Sequence, residues 1–500
     1  MKQAIEIPTD RQLLTQLLLE SRAQIAKQQE LIENLQHQLN QLQRMLFGQK
    51  SEKRNKNKNN KIEPKKEILL INNITSSPSH QKSPNGRRPL PADLERIKIK
   101  HDIPEDKRFC PSCEFKLHCV GKEVSEQLDF IPAKLFVKQH IRYKYGCRCC
   151  QKIITAAMPE QPIDKGLAGA GLLADIVISK YQDALPLYRQ ELRFARLGYD
   201  LVRSTLCDWV SQIAIRLKPI VDAMITDALL KSHKIHTDDT SIRVLAKQGK
   251  AHTGRLWVYV GGSCAPPCTI YQYSKTRRSE VPYTFLKDYC GYLQADAYAG
   301  YDKCYERGNI IEIACFAHSR RKFVLVAESI DEPVLANTAI EFIAGLYAIE
   351  SRAKALSSEQ RYYLRKRYAK PILKKFKRWL WVQKKVTPPK SPLGQAMQYT
   401  LNHWQALNNY LRNGILSIDN NAAERAIKPV VIGRKNYLFA GSHQGAENAA
   451  VIYSLIETCK MNGINTFDYL KDVIAKLPTT LMKNIHELFP YNWRPNLNST

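Results

Sequence analysis

Five hundred residues exceed what one hydrophobic core usually organises, so the chain is sized for several domains. Its 76 Lys and Arg against 47 Asp and Glu leave a formal charge of +29, which suits a polyanionic partner because each neutralised phosphate releases a counterion. Met1 to Asp10 lacks a secretory pattern and no apolar run reaches the roughly 18–20 residues that span a bilayer, so a soluble, cytoplasmic protein with reduced or metal-bound cysteines is expected, and no membrane partner.

Residues 1–50 read as a leucine-rich helix. Leu18, Ile25, Ile32, Leu39 and Leu46 recur every seven residues, a coiled-coil seam through which the chain would self-associate. Residues 51–90 are rich in Lys, Asn, Ser and Pro and read as a flexible basic linker. A zinc-binding module is expected over 91–160. "CPSC" supplies Cys110 and Cys113, "CRCC" supplies Cys147 and Cys150, and two C-x2-C knuckles give four thiolates for one structural Zn²⁺. Cys119 and Cys149 are left over, and Cys149 could compete as a ligand. The alternating "QLDFIPAKLFVKQHIRYKYG" between the knuckles reads as two strands of a ribbon.

Residues 161–229 take a helical period. A helix, a turn containing Gly198 and a second helix opening at Ser204 with Arg203 beside it resemble a helix-turn-helix for DNA. Residues 230–460 change again: three short β-rich runs, a helix, a strand, a helix and a strand. This is the order of a ribonuclease-H-like mixed sheet with helices on its faces, so the chain as a whole is predicted to be multidomain α/β. Basic helices over about 325–415 interrupt it, and 461–500 reads as a C-terminal helical segment.

Three acids stand at element ends in this reading. Asp238 closes the first strand, Asp296 closes the fourth, and Glu424 opens the helix of "LSIDNNAAERAIKP", where Asp419, Asn420 and Asn421 are N-cap material. In this strand order the first and fourth strands are neighbours, which brings Asp238 and Asp296 together. Hard carboxylate oxygens suit two Mg²⁺ (or Mn²⁺) ions, which activate the attacking oxygen and neutralise the leaving one in phosphodiester chemistry. Asp239 is the rival to Asp238, but neighbours in a strand face opposite ways.

The series "FGQKSEK", "CPSC…GCRCC", "SKYQDALPLYRQE", "HTDDTSIRVL", "LQADAYAGYD", "CFAHSRRKF" and "SIDNNAAERAIKPVVIGRKNYLFAGSHQGAENAAVIYSLIETCKMNGINTFDYL" resembles the transposases of insertion-sequence family 66, in the DDE superfamily, over nearly the whole chain. The resemblance implies cleavage at the terminal inverted repeats of a mobile element and transfer of the 3′-OH to target DNA. It implies catalytic and magnesium-binding roles for Asp238, Asp296 and Glu424, zinc at the four knuckle cysteines, a helical insertion before the Glu, and accessory proteins encoded in the same element. Thr237 stands where the family usually has Ala. Arg425, Lys428, Arg434, Lys435, His318, Arg320, Arg321 and Arg203 are candidates for holding DNA.

Overall fold

The structure, a computed structural model, describes residues 134–146, 153–164, 166–245, 251–329 and 333–495, with scattered helical positions between 15 and 39. The linker at 51–90 and Cys110, Cys113, Cys147 and Cys150 lie outside the described residues, as do Leu18 and Leu46 of the heptad seam. The chain divides into two compact units, Met1–Lys50 with Ile141–Thr500, and Ser51–His140. Of the second, residues 134–140 are described; they have no regular secondary structure. The described positions between 15 and 39 are helical, and Ile25, Ile32, Leu35 and Leu39 are exposed.

A small antiparallel hairpin, β1 (Lys144–Gly146) and β2 (Ile153–Thr155), pairs Gly146 with Ile153. The two strands therefore bracket the second cysteine knuckle. The ribbon expected ahead of it is absent from residues 134–143, which carry no strand.

Three helices follow: α1 (Ala170–Tyr181), α2 (Leu187–Arg196) and α3 (Arg203–Met224). Gly198, at φ +88°, makes the turn between α2 and α3 where an L side chain is disfavoured. The start of α3 differs from the sequence reading. Val202 occupies the N-cap and Ser204 lies inside the helix, because the Arg203 amide is already satisfied by the Glu191 carboxylate at 3.1 Å.

The central sheet has five strands: β3 (Lys234–Leu245), β4 (Ala251–Gly261), β5 (Cys268–Ser274), β6 (Gly291–Gln294) and β7 (Ile310–Ile313), in the order β5-β4-β3-β6-β7. The first three are antiparallel, while β6 and β7 join in parallel. Short helices α4 (Glu280–Phe285) and α5 (Asp302–Glu306) make the crossovers. Asp238 does not close its strand, as the sequence reading had it. β3 runs on to Leu245, because the apolar alternation of Ile242 and Val244 continues its ladder with β4.

Next come α6 (Phe316–Ala327), α7 (Val334–Arg352), α8 (Ser358–Leu364), α9 (Lys370–Val386), α10 (Pro392–Asn402) and α11 (Trp404–Asn408). They close around Phe316, Phe323, Ile343, Leu346, Phe376, Leu380, Met397 and Tyr410. By length and composition α7 is apolar enough to cross a membrane, which the run-length reading missed. Its buried Ala336, Ala339, Ile343, Leu346 and Ile349 recur at three- and four-residue spacing; from Ala339 onward they face this cluster, the stripe of a helix docked on a core.

The chain then forms α12 (Asn421–Tyr437), α13 (His443–Met461) and α14 (Thr466–Lys476). Helix α13 covers the β5 edge. Its Ser454 and Thr458 hydroxyls accept the Tyr271 and Thr269 amides at 2.8 and 3.1 Å, satisfying groups that an open edge would expose.

Candidate active site

Strands β3 and β6 pair in parallel from Lys234↔Tyr292 to His236↔Gln294. Asp238 and Asp296 each stand two residues past the last paired position, level with one another where the two strands part. Asp296 accepts the Tyr298 amide at 3.1 Å, and Ala297 between them sits at φ +64°. That left-handed conformation is costly for alanine and marks a turn fixed by its surroundings. Asp239 points away and is consumed by structure. Its side chain is buried against Arg255 (3.1 Å) and Arg277 (2.8 Å), and Arg277 lies over the Tyr298 ring. Arg277 thus ties Asp239, which faces away from Asp238, to the loop after β6.

Glu424 sits in the first turn of α12. The segment that delivers it is anchored from several sides. Buried Arg365 donates to the carbonyls of Tyr410, Asn413 and Leu416 (3.0, 3.1 and 2.9 Å) while holding Glu350 in a two-pronged pair (2.8 and 2.6 Å). Lys234 reaches Ile415 O at 2.8 Å, Gln294 reaches Ser417 O at 2.8 Å, and the Phe316 amide reaches Ile418 O at 3.1 Å. Asn420 stands at the N-cap but its side chain does not cap the helix. It donates instead to Thr237 O at 2.8 Å and faces His236 Nδ1 at 3.1 Å, clipping α12 to β3 beside Asp238. Burial pushes His236 down to about 3, so its neutral ring donates from Nδ1 to Asn420.

The electrostatics tie the three acids together. Burial pushes the Asp238 carboxyl up to about 7, and the negative charges of Asp296, Asp239 and Glu424 add to this, against the Asp239 amide that favours the anion. His318, on α6, faces Glu424 with Nδ1 3.9 Å from Oε1, and Arg321 lies 3.9 Å from Oε2. Burial, and then the Arg321 charge, hold His318 below the ordinary histidine range, opposed by Glu424 and Asp296. His318 Nδ1 and Glu424 Oε1 are sealed from solvent without a hydrogen-bond partner.

The family profile described as Transposase IS66 family matches residues 165–448, well over half of the chain. The chain belongs to the IS66 transposase family. Three further family profiles match: the zinc-finger binding domain of transposase IS66 over 107–151, Transposase C of IS166 homeodomain over 34–99, and the IS66 C-terminal element over 454–491. Uncharacterized protein y4jD of Sinorhizobium fredii is 31% identical over 521 aligned positions, covering 98% of this chain and 97% of its own. Uncharacterized protein y4hP of the same organism is 33% identical over 428 positions, covering 82% and 77%. This transposase therefore carries zinc-finger and DNA-binding domains.

For an IS66 transposase a divalent cation is implied, and the residues present fit one. A buried Asp238 carboxyl raised further by neighbouring negative charges, and an orphaned Glu424 oxygen, are relieved by positive charge. The basic candidates divide by environment. Arg425, Lys428 and Lys435 are exposed along α12, and Arg203 is exposed at the start of α3. Arg434 is part-buried, with one Nη donating to Thr240 Oγ1 (2.8 Å) and to the Ser241 carbonyl, so it staples α12 to β3. Arg320 and Arg321 follow His318 on α6. Sequence reading missed Asn420 as a clip, Arg365 as an anchor and Tyr399, whose hydroxyl donates to Asp296 O at 3.2 Å. The polar residue buried in an apolar setting was the one available signal, and a single sequence does not display burial.

Proposed function

We propose that this transposase cuts DNA at the terminal inverted repeats of its element and joins the freed 3′-OH to target DNA, with Asp238, Asp296 and Glu424 as the catalytic, magnesium-binding carboxylates. The observation that carries this reading is the parallel β3–β6 register, which sets Asp238 and Asp296 level, together with the Glu424 charge felt at Asp238. The sheet order, three antiparallel strands continued by two parallel ones, supports a ribonuclease-H-like core interrupted by a helical insertion. Two Mg²⁺ or Mn²⁺ ions, when bound, activate the attacking oxygen and stabilise the leaving one. The protein residues hold the carboxylates in register, and Arg425, Lys428 and Lys435 sit exposed on the helix that carries Glu424, suited to phosphate contacts.

The insertion supports a DNA-holding role. From Gln360 to Ile418 the chain has thirteen Lys and Arg and no Asp or Glu. Lys366, Arg367, Lys370, Lys374, Lys375, Lys377, Arg378 and Lys385 are exposed, with Tyr363 and Trp381 among them. A merely solvated helix face usually mixes signs in i,i+4 pairs; this one offers only cations, as a phosphate backbone requires. In this reading Zn²⁺ is held by Cys110, Cys113, Cys147 and Cys150, the N-terminal helix brings copies together so that both element ends are engaged, and proteins encoded beside the transposase assist it.

The test is purified protein with Mg²⁺ and labelled inverted-repeat DNA, beside Glu424→Gln. Joined products that vanish in the variant support transposition. Cleavage without joining would reduce the protein to a nuclease, and binding without chemistry would refute both enzymatic readings. Metal analysis of wild type and Cys147→Ser checks the zinc: about one Zn²⁺ per chain is expected, lost or weakened in the variant.

A further inference from the structure

Glu424 has a second set of neighbours besides the two aspartates. Cys315 is the N-cap residue of α6 and His318 lies one turn into it. Their ligand atoms and a Glu424 oxygen all lie within 4.8 Å of one another, close enough to share one metal ion. His318 Nδ1 and Glu424 Oε1 face each other across 3.9 Å. That separation is too long for a hydrogen bond, and both atoms are buried without a partner. It is within the span of two ligands that each approach a shared cation to about 2.1 Å. Two further neighbours narrow the choice. Cys315 Sγ already accepts the Asn420 amide at 3.1 Å. Arg321 approaches Oε2, the other carboxylate oxygen, which leaves Oε1 as the ligand atom.

We propose that His318, through Nδ1, ligates the divalent cation held by Glu424, so that the two cation positions are chemically unequal. This rests on reading the three acids as a divalent-metal centre. The position at Asp238 and Asp296 offers only oxygen and suits Mg²⁺. The position at Glu424 adds an imidazole nitrogen, which shifts preference toward Mn²⁺. His318 is thereby a metal ligand and not one more grip on the DNA backbone.

The test uses the full chain, zinc-loaded, with and without inverted-repeat duplex, and follows Mn²⁺ by electron paramagnetic resonance. Wild type is expected to bind two Mn²⁺, one showing nitrogen hyperfine coupling. In His318→Ala that coupling disappears and one site weakens by about 10–100-fold, while Asp238→Asn weakens the other site and keeps the coupling. Mg²⁺ should compete more easily for the weakened site than in wild type. A folded His318→Ala protein with unchanged Mn²⁺ affinity, or a wild-type spectrum without nitrogen coupling, overturns the role of His318 and leaves the three-acid centre standing. Absence of any divalent binding in wild type, even with DNA, overturns both.

Discussion

Two regions of this transposase handle charge in opposite ways. Where β3 and β6 part, burial lifts Asp238 to about 7, and the negative charges of Asp296, Asp239 and Glu424 add to it. In the insertion, thirteen cations lie between Gln360 and Ile418 without one acid, mostly at exposed positions. The first region depends on register: one residue's slip along β3 would turn Asp238 away and Asp239 inward. The second depends on sign and surface, and tolerates displacement of any one lysine. On the proposed reading, metal would be held by geometry and the DNA backbone by charge. The segment at 410–420 joins the two, since it leaves the insertion and delivers Glu424.

The sharpest break in this comparison is at the acids. Glu424→Gln or Asp238→Asn should lower strand joining on the order of 10³-fold or more, the scale of several kcal/mol of lost transition-state charge stabilisation. DNA affinity should change little. Equal losses in DNA affinity and joining would mean that the acids serve binding, and the contrast between the regions would collapse.

The joint comes second. Arg365 is 1% exposed and holds Glu350 and three carbonyls, so Arg365→Met strands a part-buried carboxylate and unpairs the 410–416 backbone. The expected cost is about 3–5 kcal/mol, read by chemical denaturation. If this segment couples the regions, activity in the surviving folded fraction falls too, because Glu424 is no longer held.

Arg365 also shows where a sequence stops being legible. In "RYYLRKRYAK" it is one cation among many, and only the fold distinguishes it from its exposed neighbours Lys366 and Arg367. Asn420 is similar: as a helix-start amide it reads as a cap, but its partner Thr237 O lies 183 residues away. What could be read was carried by residue type and local pattern. The three-strand, helix, strand, helix, strand order followed from apolar alternation, and the neighbouring of the strands carrying Asp238 and Asp296 followed from that order. The extent of β3 was misread, since "SIRVL" beyond the acids gains its strand character from pairing with β4.

A smaller, graded effect should come from the insertion. Replacing Lys374, Lys375, Lys377 and Arg378 together by Ala removes four exposed charges from α9. If all four neutralise phosphates, the log–log salt slope of DNA binding flattens by about 3–4, equally for inverted-repeat and unrelated duplexes. A loss confined to one sequence would instead mean base readout. An unchanged slope would move the DNA-holding surface elsewhere, to α3 or α12.

The smallest effect tests whether the register of the acid cluster is bought with strain. Ala297, at φ +64°, follows Asp296 directly and carries a cost of about 1–2 kcal/mol for an L-residue in that region. Ala297→Gly removes that cost and adds about 0.5–1 kcal/mol of chain entropy to be lost on folding. The net expectation is a stabilisation of up to about 1 kcal/mol, measurable as a small rise in Tm. Glycine also widens the conformations open to the turn that the Tyr298 amide and the Tyr399 hydroxyl now fix around Asp296. Joining should then fall a few-fold although the protein is more stable. A variant that gains both stability and activity would show that the left-handed alanine is incidental, and that the β3–β6 ladder alone sets the position of Asp296.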